Sequence, residues 1–415
     1  MIQTRCASSG FFVEICLMPK VSQRGLAMPA SPIRKLVPYA EGAQKKGVKV
    51  HFLNIGQPDI PSPKVAMEAL QHHDVKVLAY SHSAGFASYR EKLVGYYAKH
   101  GIGLTASDMI VTTGGSEALA IAMGSIVDPG DEIIIPEPYY ANYLGFATAT
   151  GAVVVPVVSR IEDGFALPPM SDLEALITPK TKAILLCNPG NPTGKLYSRQ
   201  ELEHVRDMAL KHDLYIVADE VYREFTYDGA THTSVLNLDG MEQHAILIDS
   251  VSKRYSMCGA RIGLLASKNQ AFMAAAMKFA QARLSPPTFE QMAAEAALET
   301  PDSYFEEVNK EYCTRRDYVI GRLNAMPGVF CPKPSGAFYA VAKLPVQDAD
   351  HFCQWMLESF DHQGETVMMA PAAGFYTHAE LGKQQVRIAY VLDVADLERA
   401  MNALEAGLNA YPQRA

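Results

Sequence analysis

The sequence predicts an α/β fold, in which a large, mostly parallel, doubly wound sheet is accompanied by a smaller α/β domain. Between residues 110 and 250, short apolar segments recur and alternate with segments that carry helix signals. This alternation is typical of parallel sheets whose strands are buried on both faces. Polar motifs follow the ends of several apolar segments, which is where open α/β sheets bind ligands. We therefore expect one shared site at that edge of the sheet.

The elements can be assigned in chain order from start and stop signals. A helix is predicted over 37–46, because Pro38 lies near its start and Gly47 follows its end. A strand begins at Val48, and Pro63 starts a further short helix. Further strands are predicted over 110–113, 131–135, 153–158, 182–187, 214–218, 245–248 and 385–390. Further helices are predicted over 114–126 and 198–212, from about residue 87, and as long helices within 268–325.

This assignment divides the chain into three parts. Residues 1–45 form an N-terminal arm, residues 46–70 and 328–415 a small domain, and residues 71–327 the large domain. We expect residues 1–17 to be disordered or to result from an upstream start. The apolar run from Phe11 to Leu17 is short and is broken by Glu14, so it does not fit a signal peptide.

The composition excludes several classes of protein. The chain has 415 residues, of which 48% are hydrophobic and 20% charged, as in ordinary globular proteins. A net charge of −8 disfavours nucleic-acid binding, and no apolar run is long enough to span a membrane. Seven scattered cysteines without a CxxC pair indicate reduced thiols and a cytoplasmic protein. No motif predicts a metal site.

The most informative stretch runs from Asp249 to Gly263. Ser250 and Ser252 precede Lys253, and Arg261 follows it eight residues later. A lysine at a strand end is ordinarily a solvated surface residue. However, a desolvated amine can form a Schiff base with a carbonyl, and hydroxyls with a guanidinium can hold a phosphate. Together these features match the requirements of pyridoxal 5′-phosphate (PLP).

Two glycine-containing motifs have simpler interpretations when each is taken alone. The segment 114–118 joins a strand to a helix and is either an anion site or a tight turn capped by Ser116. The segment 188–195 is not a phosphate P-loop, because Gly190 and Gly194 are one residue too close and Leu196 replaces Ser or Thr. Otherwise it is a Pro/Gly turn.

Three further side chains each allow a structural and a functional interpretation. Asp219 ends an apolar strand, where an acid caps the next turn or pairs with a buried cation such as a pyridinium. Tyr139 and Tyr140 follow Pro138 and would ordinarily lie in the core or at a rim. Arg387 lies within an apolar strand, either at a surface edge or as a fork for a carboxylate.

The order of these motifs resembles that of the fold-type I, PLP-dependent aminotransferases of class I/II, in particular their aspartate aminotransferase-like branch. The resemblance extends from about Val48 to the C-terminus. The motifs are Gly-Gly-Ser-Glu-Ala at 114–118, Pro-Tyr-Tyr at 138–140, Asn-Pro-Thr-Gly at 191–194, Asp-x-x-Tyr at 219–222, Ser-x-Ser-Lys at 250–253, Arg-x-Gly at 261–263 and Val-Arg-Ile at 386–388. Any one of them is weak evidence, but unrelated folds have no reason to supply all of them in this order.

The resemblance implies a ping-pong transfer of an amino group between an L-amino acid and a 2-oxo acid. Lys253 would hold PLP as a Schiff base and then act as the base, while Asp219 keeps the pyridine nitrogen protonated. Tyr222 and Asn191 would bind the cofactor's O3′, and Tyr140 would stack on its ring. The phosphate ligands implied are Gly115, Ser116, Ser250, Ser252 and Arg261. The substrate α-carboxylate ligands implied are Arg387, Asn191 and the backbone N–H of Gly56.

The resemblance also implies a homodimer in which Tyr80 reaches the partner's PLP phosphate. Tyr80 precedes Gly85 by the five residues found in similar enzymes, although local packing in a surface loop is the simpler interpretation. Arg283 lies near the stretch that would supply a second substrate arginine but does not clearly match it. Dicarboxylate specificity, the amino donor and the acceptor therefore stay open.

Two rival functions remain. A PLP-dependent C–S β-lyase would share the first half of the reaction and therefore the same motifs. A PLP-domain transcription regulator would need a helix-turn-helix module before the fold, and the roughly 45 preceding residues, with Pro29, Pro32 and Pro38, do not suit one. A purely structural α/β domain would leave Lys253 and Asp219 unexplained.

Overall fold

A computed structural model describes residues 19–414, so the expectation for residues 1–17 lies outside the described part of the chain. The strands are β1 (Lys49–Phe52), β2 (Met109–Thr112), β3 (Glu132–Glu137), β4 (Val153–Val158), β5 (Thr181–Cys187), β6 (Tyr215–Asp219), β7 (Ala245–Ser250), β8 (Gly263–Ala266), β9 (Tyr339–Lys343), β10 (Glu365–Met368), β11 (Ala370–Pro371) and β12 (Gln385–Ala389). The helices are α1 (Gln23–Ala27), α2 (Val37–Lys45), α3 (Lys64–Gln71), α4 (Ala87–Lys99), α5 (Gly114–Ile126), α6 (Asn142–Thr150), α7 (Met170–Glu174), α8 (Arg199–His212), α9 (Val251–Arg254), α10 (Gln270–Arg283), α11 (Thr288–Ala297), α12 (Asp302–Ala325), α13 (Ala349–Glu358) and α14 (Val394–Ala410).

The central element is a seven-stranded sheet with the order β2-β8-β7-β6-β5-β3-β4. Its strands are parallel except for β8, which runs antiparallel to both of its neighbours. Ile133 and Ile135 pack with residues of α5, α6 and α10 on one face, and Ile134 packs with residues of α8 on the other. Because successive residues of a strand point to opposite faces, the continuous apolar runs reflect burial on both sides. The predicted doubly wound fold is thereby confirmed.

A second layer joins the two ends of the chain. Strand β1 pairs in parallel with β10, and β12 lies between β11 and β9 in an antiparallel sheet. Helices α2, α12, α13 and α14 contribute residues to the core around these strands. This layer carries β9 and β12 towards the carboxyl ends of the large sheet.

The predicted bounds differ from the observed ones mainly where tertiary pairing extends a strand. The strand predicted over 245–248 continues to Ser250, because Asp249 and Ser250 pair with Leu264 and Gly263 of β8. Strand β8 itself was not predicted. The polar residues of this extension are buried, so hydrophobicity gave no signal for it.

In the part of the chain that the structure describes, no helix combines the length and apolar character needed to cross a bilayer.

Candidate active site

One cavity of about 580 Å³ lies beyond the carboxyl ends of β5, β6 and β7, between the large sheet and the strands β9 and β12. It gathers side chains from distant parts of the sequence. The predicted site residues that line it are Gly56, Gly115, Ser116, Tyr140, Asn191, Asp219, Tyr222, Ser250, Ser252, Lys253, Arg261 and Arg387. Tyr80 does not line this cavity and is 80% exposed.

Lys253 lies on α9, the short helix that follows β7 directly. Ser250 caps this helix by accepting a hydrogen bond from the backbone N–H of Ser252. The Lys253 Nζ donates to the carbonyl oxygen of Gly56 at 2.8 Å and lies 3.7 Å from the Cys258 Sγ. Gly56 also lies so close to Tyr339 that a Cβ atom on Gly56 would overlap the Tyr339 hydroxyl, so this position requires glycine. The amine is thus held at the cavity wall.

A buried ionic cluster around Asp249 holds the junction between β7 and α9 in place. Asp249 accepts hydrogen bonds from Tyr97 at 2.7 Å, Arg254 at 3.1 Å and Arg223 at 3.2 Å. Burial by itself would raise the pKa of Asp249, but the nearby Arg254 and Arg223 hold that pKa below its usual value. The segment that leads into Lys253 is therefore anchored by an ionised carboxylate.

Asp219 ends β6 and is 5% exposed. Burial raises the pKa of its carboxyl to about 6, and a 2.7 Å hydrogen bond donated by the Tyr143 hydroxyl opposes that rise. Among residues 19–414, no lysine or arginine forms a salt bridge with it. A buried acid with such a pKa can ionise beside a cationic ring nitrogen.

Asn191, Tyr222 and Tyr339 form a polar chain on the opposite wall. The hydroxyls of Tyr222 and Tyr339 lie 2.9 Å apart, and the Asn191 Nδ2 donates to the Tyr222 hydroxyl at 3.4 Å. Burial holds the pKa of Tyr222 well above its usual value. Its phenol therefore stays protonated near neutral pH and can donate a hydrogen bond to a ligand.

Arg387 lies in the middle of β12 and is 1% exposed. Its guanidinium lies between the rings of Tyr339, at 4.7 Å, and Phe375, at 5.0 Å. Its Nη1 donates to the Asn191 Oδ1 at 3.0 Å and its Nη2 to the carbonyl oxygen of Asn54. The Nε has no partner within residues 19–414, and burial lowers the pKa of the group. A buried arginine that pairs with no carboxylate of the described chain is suited to a substrate carboxylate.

The donors predicted to hold phosphate meet at one end of the cavity. Gly115 and Ser116 belong to the first turn of α5, where free N–H groups and the helix dipole favour an anion. The Arg261 guanidinium lies over that turn, so closely that a Cβ atom on Gly114 would overlap it. The hydroxyls of Ser250 and Ser252 lie 2.8 Å apart beside them. These groups fit a phosphate, and with Lys253 and Asp219 the whole arrangement fits PLP.

Sequence reasoning missed four side chains that shape the site. Tyr143 lies in the first turn of α6, after the Pro-Tyr-Tyr motif, and its contact with Asp219 had no signal in the sequence. Tyr339 begins β9, and it had not been assigned a role. Cys258, which lies within the 249–263 stretch, and Arg34 also line the cavity, and neither had been assigned a role.

The two candidate tyrosines after Pro138 occupy different environments. Tyr140 lines the cavity, whereas Tyr139 is buried in the core, with its hydroxyl 2.9 Å from that of Thr377. This difference agrees with the choice of Tyr140 for ring stacking.

Comparisons with known proteins agree with this geometry. The family model described as aminotransferase class I and II matches residues 48–404. The aspartate aminotransferase of Pyrococcus horikoshii is 32% identical, covering 94% of this chain and 97% of that protein. The aromatic-amino-acid aminotransferase 2 of Thermococcus litoralis is 32% identical, covering 90% and 95% respectively. The solved alanine aminotransferase of Pyrococcus furiosus superimposes with a TM-score of 0.87 at 32% identity, covering 94% of this chain and all of that one.

The chain therefore belongs to the class I and II aminotransferases. It is a PLP-dependent transaminase, as its motifs predicted, and these matches do not favour the C–S β-lyase.

Proposed function

We propose that the cavity residues carry out transamination in the roles that their contacts suit. The observation that carries the proposal is the convergence, in one cavity, of the Lys253 amine, the buried Asp219 carboxyl and the buried guanidinium of Arg387. These groups supply, in that order, a base, a partner for a ring cation and a two-pronged donor for a substrate carboxylate.

Arg387, Asn191 and the backbone N–H of Gly56 bind the substrate α-carboxylate and orient the amino acid. When bound, PLP supplies the aldehyde that takes up the amino group and a ring that accepts electrons from the substrate Cα. Lys253 accepts the proton from that Cα, and its contact with the Gly56 carbonyl keeps the amine beside the carboxylate subsite.

The remaining groups hold the cofactor. Asp219 stays ionised against the pyridinium, and Tyr222 with Asn191 donates hydrogen bonds to O3′. Tyr140 packs on the ring. The phosphate is held by Gly115, Ser116, Ser250, Ser252 and Arg261.

Half-reactions with single amino acids test this function. Stoichiometric enzyme mixed with a good donor and no acceptor should form one 2-oxo acid per site, with loss of the cofactor's visible absorbance. Addition of a second 2-oxo acid should then allow repeated turnover. Continuous release of pyruvate and ammonia from cystathionine without any acceptor would instead establish a β-lyase. The Lys253→Ala variant, matched in every other group, should do neither.

We propose further that the active unit is a homodimer to which Tyr80 contributes in trans. Val77, Leu78 and Tyr80 are 77%, 62% and 80% exposed, so one short segment presents a run of apolar side chains. Such runs mark interaction surfaces, and a two-fold interface would carry each Tyr80 to the partner's phosphate subsite.

Mixing Tyr80→Ala with Lys253→Ala tests the exchange. In a mixed dimer with Tyr80 acting in trans, one site carries both changes and the other is intact. Complete random exchange of equal amounts should therefore restore about a quarter of wild-type activity. Activity that stays at the average of the two separate variants, despite confirmed mixed dimers, would refute the trans assignment.

We also propose a cytoplasmic location and the domain division given above. The five cysteines of residues 19–414 are free thiols, which suits a reducing compartment. The pairing of β1 with β10 supports one small domain assembled from 46–70 and 328–415.

A further inference from the structure

One charged side chain of the cavity is left without a role by the proposed function. The charged groups that line the cavity are Arg34, Asp219, Lys253, Arg261 and Arg387. Under the proposed roles, Asp219 faces the ring cation, Arg261 the phosphate and Arg387 the substrate α-carboxylate. Lys253 works as the base. Arg34 is then a cation with no assigned anion.

The backbone next to Arg34 is held in place through Ile33. The Ile33 carbonyl accepts a hydrogen bond from the Asn54 Nδ2 at 3.1 Å, and the Asn54 carbonyl accepts one from Arg387. Ile33 also packs against the apolar cluster that contains Phe375, whose ring lies against the guanidinium of Arg387. One asparagine and one aromatic ring thus tie the segment that bears Arg34 to the α-carboxylate subsite.

Arg34 and Arg387 line the same cavity as Tyr140. Burial raises the pKa of Tyr140 to about 12, and both Arg387 and Arg34 act against that rise. Arg34 is exposed, and within residues 19–414 its guanidinium has no hydrogen-bond or ion-pair partner, whereas the adjacent Lys35 pairs with Asp350.

Arg283, the other candidate for a second carboxylate, is engaged elsewhere in its own chain. Its Nη2 donates to the carbonyl oxygens of Ser83, at 3.1 Å, and Val111, at 3.2 Å. Its Nε lies 3.4 Å from a Glu117 oxygen. Its Nε and Nη1 donate no hydrogen bond within residues 19–414, but the side chain does not line the cavity of its own chain.

Resting on the proposed function, we infer that Arg34 is the specificity residue of this enzyme and binds a side-chain carboxylate of the substrate. The substrates would then be dicarboxylic amino acids and the matching dicarboxylic 2-oxo acids. Arg387 binds the α-carboxylate of the substrate. Arg34, in the N-terminal segment of the same chain, binds its side-chain carboxylate. The amine and Cα lie between them, facing Lys253.

The test compares Arg34→Gln with the matched control Lys35→Gln. A charge-assisted hydrogen bond is typically worth about 1.5–3 kcal/mol, so kcat/KM for aspartate or glutamate should fall about ten- to hundredfold in Arg34→Gln. For alanine and phenylalanine the same variant should change by less than about twofold, and Arg34→Lys should recover part of the loss. Lys35→Gln should leave both kinds of donor unchanged.

Ligand binding supplies a measurement that does not depend on turnover. Calorimetric titration of the PLP-loaded enzyme should show that succinate binds more tightly than butanoate, which lacks the second carboxylate. Arg34→Gln should remove that preference. If kcat/KM fell equally for alanine and aspartate, or if the preference for succinate were unchanged, the assignment of Arg34 would be overturned while transamination itself persists. A wild-type enzyme that transaminates no amino acid would instead overturn the proposed function.

Discussion

Replacement of Tyr143 by Phe removes one hydroxyl from the environment of the active-site acid and leaves the ring in place. That hydroxyl donates a 2.7 Å hydrogen bond to Asp219, and both residues are buried. The bond favours the ionised carboxylate and holds down a pKa that burial raises to about 6. We therefore expect Tyr143→Phe to raise the pKa of Asp219 further.

The magnitude follows from the strength of the bond. A hydrogen bond to a charged group is worth about 1.5–3 kcal/mol, and each pKa unit corresponds to about 1.4 kcal/mol, so the pKa of Asp219 should move to about 7–8. At pH 7 the ionised fraction then falls from about nine tenths to between about one half and one tenth. If only the ionised carboxylate holds the pyridinium, PLP affinity at pH 7 should fall about two- to tenfold.

The assay is titration of the cofactor-free protein with PLP at pH values from 6 to 9. The affinity deficit of Tyr143→Phe should be largest at pH 6 and nearly vanish at pH 9, where both proteins carry an ionised Asp219. Tyr139→Phe is the matched control, because that hydroxyl lies near Thr377 and does not contact Asp219. A deficit of constant size at every pH would refute the reasoning, since it would point to a loss of packing.

Three further substitutions test neighbouring parts of the account. Arg387→Lys keeps the charge but loses the planar fork, so kcat/KM for amino acids should fall about a hundredfold or more with unchanged PLP content; a matching loss of PLP would indicate a structural role. Burial raises the pKa of Asp219 from 3.8 to about 6, so ionisation of Asp219 should lower the unfolding free energy of the cofactor-free protein by about 2 kcal/mol as pH rises from 4 to 7. Asp219→Asn should remove that pH dependence. If the unfolding free energy of the variant changed with pH as much as that of the wild-type protein, this expectation would be contradicted. Asp249→Asn should cost about 3–5 kcal/mol of unfolding free energy, because it removes the buried carboxylate that Arg223 and Arg254 share and leaves Arg223 only Glu220; an unaltered midpoint would argue against the anchoring cluster.

The large sheet was predictable because burial on both faces leaves continuous apolar runs. Helix α5 and strand β4 were predicted with the bounds that the structure has, and α8 begins one residue after the expected Ser198, which acts as its N-cap. Strand β8 escaped prediction because it is short, and its role depends on pairing with strands distant in the sequence. Sequence patterns carry the local signals but not such pairings.

The site divides in the same way. Residues in fixed motifs at strand ends, such as Lys253 and Asn191, could be expected to converge because parallel strands end at one edge of the sheet. Tyr143 and Arg34 could not be assigned, because their roles come from a hydrogen bond and a segment position set by the tertiary fold. Tyr80 is exposed in the single chain, and its assignment to the partner's site stays a prediction.

The identity of the lysine that binds PLP is the central claim, and chemical labelling tests it directly. The holoenzyme is reduced with borohydride, digested and mapped by mass spectrometry. We expect one pyridoxyl group per chain, on the peptide that contains Lys253. A label on Lys195, which lies in the Pro/Gly turn beside the site, or on any other lysine would contradict it.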